Sequence, residues 1–281
     1  MKSFILVMGF LIGSLSYSYS QDLTKVYKKF DTTELSMDIY LPEDYKDGNN
    51  YPAMVFFFGG GWHGGNVNHF QPHAEYFSSR GIVCFAADYR VKSRQGTSPF
   101  ESLKDAKSAI RYVRENAKEY KIDPSRIIAS GGSAGGHLAA ATAFVEKYNE
   151  EGDNMAISCV PNVLVLFNPV IDNGPGGYGY ERIGDDYKAF SPLHNIREGA
   201  PPTILFLGTK DKLIPVETVK YYKKVMERVG SRCDLFLYQN EPHGFFNYSH
   251  PDNYISTVRE ADKFLNSLGY LEGAPKAIID Q

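Results

Sequence analysis

The chain predicts an α/β fold: a doubly wound, mostly parallel sheet with helices on both faces and antiparallel strands at its amino-terminal edge. Three observations lead there. Short apolar runs recur at 53–58, 82–87, 127–129, 163–167, 204–207 and 235–238, as expected of strands buried on both faces of a parallel sheet. Helical patterns separate several of these runs, which is the alternation of a doubly wound sheet. Thr33–Leu41 instead alternates polar and apolar residues, the pattern of a half-exposed strand suited to an antiparallel edge.

Taken from the amino terminus, Lys2 precedes an apolar run from Phe4 to Leu15, and small residues follow to Ser18-Tyr19-Ser20. This is the layout of a secretory signal, so residues 1–20 are expected to be removed and the mature chain to begin at Gln21. The run is interrupted by Gly9 and Gly13 and falls short of the roughly 20 residues that span a bilayer. A secreted or periplasmic protein without a stable membrane span after signal removal is the expectation. No linker or charge run divides residues 21–281, which read as a single domain.

Later elements announce themselves by punctuation. Ser98 caps a helix predicted from Pro99 to about Tyr120, with Pro99 at the first helical position and Glu101 at the third. Asp123-Pro124 then turns the chain into the strand before Gly131. A helix-like run spans 138–145, and two amphipathic helices are predicted at 216–229 and 254–268. Residues 171–200 break the alternation where Gly174, Gly176, Gly177 and Gly179 intersperse Pro175, Tyr178 and Tyr180. This insertion leaves the carboxyl end of a strand, where ligands of α/β sheets bind.

Composition narrows the function. A net charge of −3 in 281 residues offers no basic footprint for nucleic acid. Cys84, Cys159 and Cys233 are odd in number and read as buried free thiols. His63, His69 and His73 lie close together, but no nearby acid completes a metal set, so no metal is expected. Twenty tyrosines and 18 phenylalanines supply core, rim and aromatic contacts.

The chemistry centres on Gly131-Gly132-Ser133-Ala134-Gly135, which fits Gly-x-Ser-x-Gly between a strand-like and a helix-like run. A serine that attacks carbonyls needs that sharp turn, and the flanking glycines let strand and helix approach without Cβ clashes. A serine hydroxyl also needs a base, and the base an orienting group. His243, just after the strand at 235–238, is the candidate base. Asp211, just after the strand at 204–207, is the candidate acid, with Asp172 its rival. Gly59-Gly60-Gly61 ends the first buried strand, so the amides of Gly60, Gly61 and Ala134 are the candidate oxyanion donors. Asp88-Tyr89-Arg90 follows another strand and reads as a loop brace.

Gly59-Gly60-Gly61-Trp62 and Gly131-Gly132-Ser133-Ala134-Gly135-Gly136-His137, followed by Asp211 and His243, resemble the α/β-hydrolase superfamily. Within it, the likeness is to hormone-sensitive-lipase-like esterases and bacterial acetyl xylan or feruloyl esterases. The resemblance spans nearly the whole mature chain and implies cofactor-free ester hydrolysis, with Ser133 as nucleophile, His243 as base and Asp211 as orienting acid. Two departures stand out. Phe58 occupies the position where these relatives usually carry histidine, so a bond that steadies the oxyanion loop must be replaced. The amino-terminal stretch is also too short for a large cap, which leaves an open site. With Trp62, Tyr178 and Tyr180 as substrate contacts, that site suits a small ester or an acylated polysaccharide bearing acetyl or hydroxycinnamoyl groups. Prolyl-oligopeptidase-type peptidases share the catalytic order but usually carry a propeller for which this chain has no room. A hydrolase fold reused as a binding module usually loses the nucleophile retained here.

Overall fold

The computed structural model describes residues 21–30 and 32–276; the expected signal segment, residues 1–20, lies outside them. Eight strands form one sheet: β1 (Leu23–Phe30), β2 (Thr33–Tyr40), β3 (Tyr51–Phe57), β4 (Val83–Ala87), β5 (Ile122–Gly132), β6 (Val163–Phe167), β7 (Thr203–Gly208) and β8 (Cys233–Tyr238). Their spatial order is β1-β2-β4-β3-β5-β6-β7-β8. β1 pairs antiparallel with β2 and β2 with β4, and every later pairing is parallel. The predicted fold class is therefore the one observed.

Strand periodicity divides the core in two. Ala53, Val55 and Phe57 of β3 join Leu103, Ile110, Leu138 and Val219 on one face of the sheet. Met54 and Phe56 join Phe70, Phe77, Val258 and Leu265 on the other. The helix Ala134–Phe144 is buried along its whole length, as expected of a helix apolar all round.

Two local differences from the sequence reading have physical reasons. The helix begun by the Ser98–Glu101 capping box ends at Glu115 rather than near Tyr120. There the Asn116 amide donates back to the Tyr112 carbonyl at 2.8 Å, and the chain turns to enter β5. Strand β1 went unrecognised because most of its residues are exposed, so no apolar alternation marks it. It is held instead by Lys28, whose ammonium meets Asp105 at 2.6 Å and Glu150 at 2.7 Å. Arg90 joins the same pair of carboxylates, while Asp88 pairs with Arg94 rather than with its neighbour Arg90. The three cysteines are free and buried.

Three histidines are held neutral by the fold. Burial pushes His69 down, His73 well down and His137 to about 3. The unfolded chain takes up these protons near pH 6.5 and the folded protein refuses them. Their contribution to stability is therefore complete above about pH 6.5 and is lost as pH falls toward the folded values. Each titrating histidine adds a slope of about 1.4 kcal/mol per pH unit. The thermal midpoint should drop steadily between pH 7 and pH 5 in scanning calorimetry, and His73→Leu should flatten that drop; an unchanged slope would contradict the assignment.

Candidate active site

The parallel strands deliver the predicted residues to one edge of the sheet. Ser133 stands just past β5, before the helix Ala134–Phe144, at φ 55°, ψ −120°, a conformation costly for any side chain. Surrounding contacts enforce it: Ser133 donates its N–H to the Phe167 carbonyl at 3.0 Å, and its own carbonyl accepts from Val170 at 3.1 Å. The flanking glycine is equally constrained, since a Cβ on Gly131 would stand 2.4 Å from the Gly135 carbonyl oxygen.

His243 leaves β8 two strands beyond β6, and its loop has to fold inward to reach Ser133. Gly208 lets it cross β7, because a Cβ there would lie 2.2 Å from the Glu241 carbonyl oxygen. Phe246 then anchors the loop at the centre, stacking on Phe167 at 4.9 Å. Gly244 donates its N–H to the Asn168 side chain at 2.9 Å. The result is a continuous chain: His243 Nε2 stands 2.9 Å from Ser133 Oγ, and Nδ1 stands 2.7 Å from Asp211 Oδ2. A carboxylate can only accept, so Nδ1 carries the proton and Nε2 presents its lone pair to the serine hydroxyl. The Asp211 side chain is fully buried, and its other oxygen accepts from the N–H groups of Leu213 and Ile214 at 2.8 and 3.0 Å. Asp172 lies elsewhere, accepting from Gly174 N–H and facing His194.

The loop after β3 borders the serine: a Cβ on Gly59 would lie 3.5 Å from Ser133 Cβ. Gly60 (φ 132°) and Gly61 (φ 63°) use backbone regions that favour glycine. Among the described residues, the N–H groups of Gly60, Gly61 and Ala134 have no hydrogen-bond partner. They are available to a developing oxyanion.

The bond that Phe58 cannot make is supplied from two other places. Tyr89 stacks on Phe58 at 4.0 Å between ring centroids and donates its hydroxyl proton to the Phe58 carbonyl at 2.7 Å. His69 Nδ1 accepts the Gly59 N–H at 2.9 Å, while Nε2 donates to Asn247 Oδ1 at 2.7 Å. His69 thus ties the oxyanion loop to the loop that carries His243, and only the neutral Nε2–H tautomer can do so. His69→Phe is expected to lower kcat by about 10- to 100-fold with a smaller change in KM, through misplacement of the donors. His69→Gln, whose amide both accepts and donates, should restore most of it. Steady-state kinetics on an aryl acetate decides, and equal losses in the two variants would exclude the tie.

His69 and Asn168 were not recognised from sequence as parts of the site. Their partners are remote in the chain, and no local pattern marks them. His63, His69 and His73 form no metal cluster, and no candidate metal group occurs among the described residues. Trp62 is 1% exposed and meets His137 edge-on at 5.1 Å, so its indole backs the oxyanion loop. Tyr178 is half-buried over that loop, its hydroxyl 2.6 Å from where a Cβ on Gly61 would be. Tyr180 packs on Tyr187 at 6.0 Å. The 171–200 insertion is fastened there by Arg182, whose Nη1 donates to the Gly61 carbonyl at 2.6 Å.

A parallel sheet with a serine elbow, a histidine and a buried carboxylate at its carboxyl edge defines an α/β-hydrolase. Comparisons with known proteins agree. Residues 37–173 match the BD-FAE family model and residues 165–268 the dienelactone hydrolase family. The propionate-bound structure of a thermophilic esterase from Thermogutta terrifontis is 45% identical, with a TM-score of 0.84 over 91% of this chain and 96% of that one. The chain belongs to the α/β-hydrolase esterases. An acetylxylan esterase of Xylanibacter ruminicola is 27% identical over 84% of this chain and 50% of its own length. The isoprenylcysteine alpha-carbonyl methylesterase of Arabidopsis thaliana is 27% identical over 85% and 60%. The chain thus spans about half to three fifths of the length of these curated relatives.

Proposed function

We propose that the protein is an exported serine esterase that removes small acyl groups, acetyl or hydroxycinnamoyl, through an acyl-enzyme on Ser133. The observation that carries this reading is the Ser133–His243–Asp211 hydrogen-bonded chain beside three unpartnered backbone donors. In the first half-reaction, Ser133 Oγ attacks the ester carbonyl while His243 Nε2 takes its proton. The new C–O bond drives the carbonyl electrons onto an oxyanion held by Gly60, Gly61 and Ala134. Collapse expels the alcohol, which receives the proton from His243. Water then repeats the sequence on the acyl-enzyme and frees the acid. Asp211, buried and held by two backbone donors, keeps the imidazole oriented and stabilises the imidazolium.

The small-acyl part of the proposal is supported by the acetylxylan esterase relative and by the propionate bound in the Thermogutta esterase. It also fits the shortness of the 171–200 insertion that Arg182 fastens to the Gly61 carbonyl. The test is a kcat/KM series on aryl acetate, butyrate, octanoate and ferulate, together with acetate release from acetylated xylan and cleavage of an aminoacyl anilide. Acetate or ferulate should lead the series, and the anilide should be inert. A maximum at octanoate would overturn the acyl assignment, and faster anilide cleavage would move the protein to the peptidases.

A further inference from the structure

Next to the oxyanion loop lies a cavity of about 310 Å³ whose wall includes Gly61, Trp62, Lys92, Thr97, Pro99 and Arg182. Its polar groups are unbalanced. The Arg182 guanidinium is fixed by three contacts: Nη1 donates to the Gly61 carbonyl at 2.6 Å, Nε donates to Glu181 at 2.9 Å, and the plane lies over the Trp62 and Tyr178 rings. Its remaining nitrogen, Nη2, has no acceptor among the described residues, and neither does the Lys92 ammonium. Among the described residues, the buried Thr97 hydroxyl and Trp62 Nε1 are also without partners. No carboxylate lines the cavity. The acids close in sequence to lining residues are already engaged, since Glu101 accepts from Ser98, and Glu181, whose side chain is 70% exposed, accepts from Arg182. Two cationic residues thus line the cavity, and no acidic residue is among its described lining.

We propose that this cavity is a subsite for a carboxylate carried by the ester substrate. The inference rests on the esterase reading and specifies which esters are favoured. Reach supports it. A Cβ on Gly59 would lie 3.5 Å from Ser133 Cβ, and the two residues from Gly59 to Gly61 span at most about 7 Å. Gly61 lines the cavity, so that span matches the reach of a carboxylate three or four carbons from an ester group held at the serine. The molecule carries a net charge of −3, so any preference for an anionic ester has to arise locally.

Two pairs of substrates separate the acid and alcohol sides. The first pair is 4-nitrophenyl hydrogen glutarate against 4-nitrophenyl valerate, and the second is 3-acetoxypropanoate against propyl acetate. In at least one pair the anionic member should have the higher kcat/KM, by about tenfold at low salt. That ratio should fall to between one and three in Lys92→Met, and it should shrink in 0.5 M NaCl as screening shortens the reach of the charges. Neutral members preferred in both pairs would overturn the subsite, as would a ratio that Lys92→Met leaves unchanged. Failure to hydrolyse any of the four esters would refute the esterase reading instead, so the two ideas fail in different ways.

Discussion

Ser133→Ala is expected to lower kcat on an aryl acetate by at least about 10⁵-fold while moving the thermal midpoint by no more than about 2 °C. The size follows from the role: without Oγ there is no acyl-enzyme, and the oxyanion donors alone leave only a weak residual rate. The small stability change follows from the contacts of Ser133. Its structural bonds to Phe167 and Val170 are made by backbone atoms, which alanine keeps, and among the described residues its hydroxyl bonds only to His243. Burst kinetics supplies a second readout, because the stoichiometric release of alcohol before steady state should vanish. A variant that retains more than about one thousandth of the wild-type rate would remove Ser133 from the nucleophile's role.

The parts of this site that sequence disclosed are those that chain geometry ties to local punctuation. Ser133, Asp211 and His243 each stand a few residues beyond a strand, and in a parallel sheet all such positions share one edge. Gly60 and Gly61 were legible for the same reason. What stayed hidden was relational. His69 was visible only as one of three nearby histidines, and its bond to Gly59 depends on how the segment after the oxyanion loop folds back. Asn168 and Arg182 act across separations of 76 and 121 residues, where no periodicity operates. Strand β1 was missed because an edge strand fastened by a buried lysine carries no apolar signature. Phe58 shows both sides: sequence disclosed that a bond was missing, and only the fold could disclose that Tyr89 and His69 provide it.

Gly135 makes the steric half of the nucleophile turn testable. A Cβ added there would lie 2.0 Å from the Phe57 carbonyl oxygen and 2.3 Å from that of Phe58. Both are backbone atoms at the end of β3, so no side chain can rotate away to make room. Relief requires either the helix starting at Ala134 or the strand feeding the oxyanion loop to shift, and a shift of either moves an oxyanion donor relative to Ser133. Gly135→Ala is therefore expected to cost more than about 3 kcal/mol of stability, or roughly 6–12 °C in thermal midpoint for a chain of this size. The protein that remains folded should lose about 10²-fold in kcat through displaced donors. Gly152→Ala is the matched control, because a Cβ there meets nothing within 4 Å and should change the midpoint by no more than about 2 °C. If calorimetry finds the two alanine variants equally stable, strand and helix do not approach through Gly135 as closely as this geometry requires, and the serine's strained backbone needs another cause.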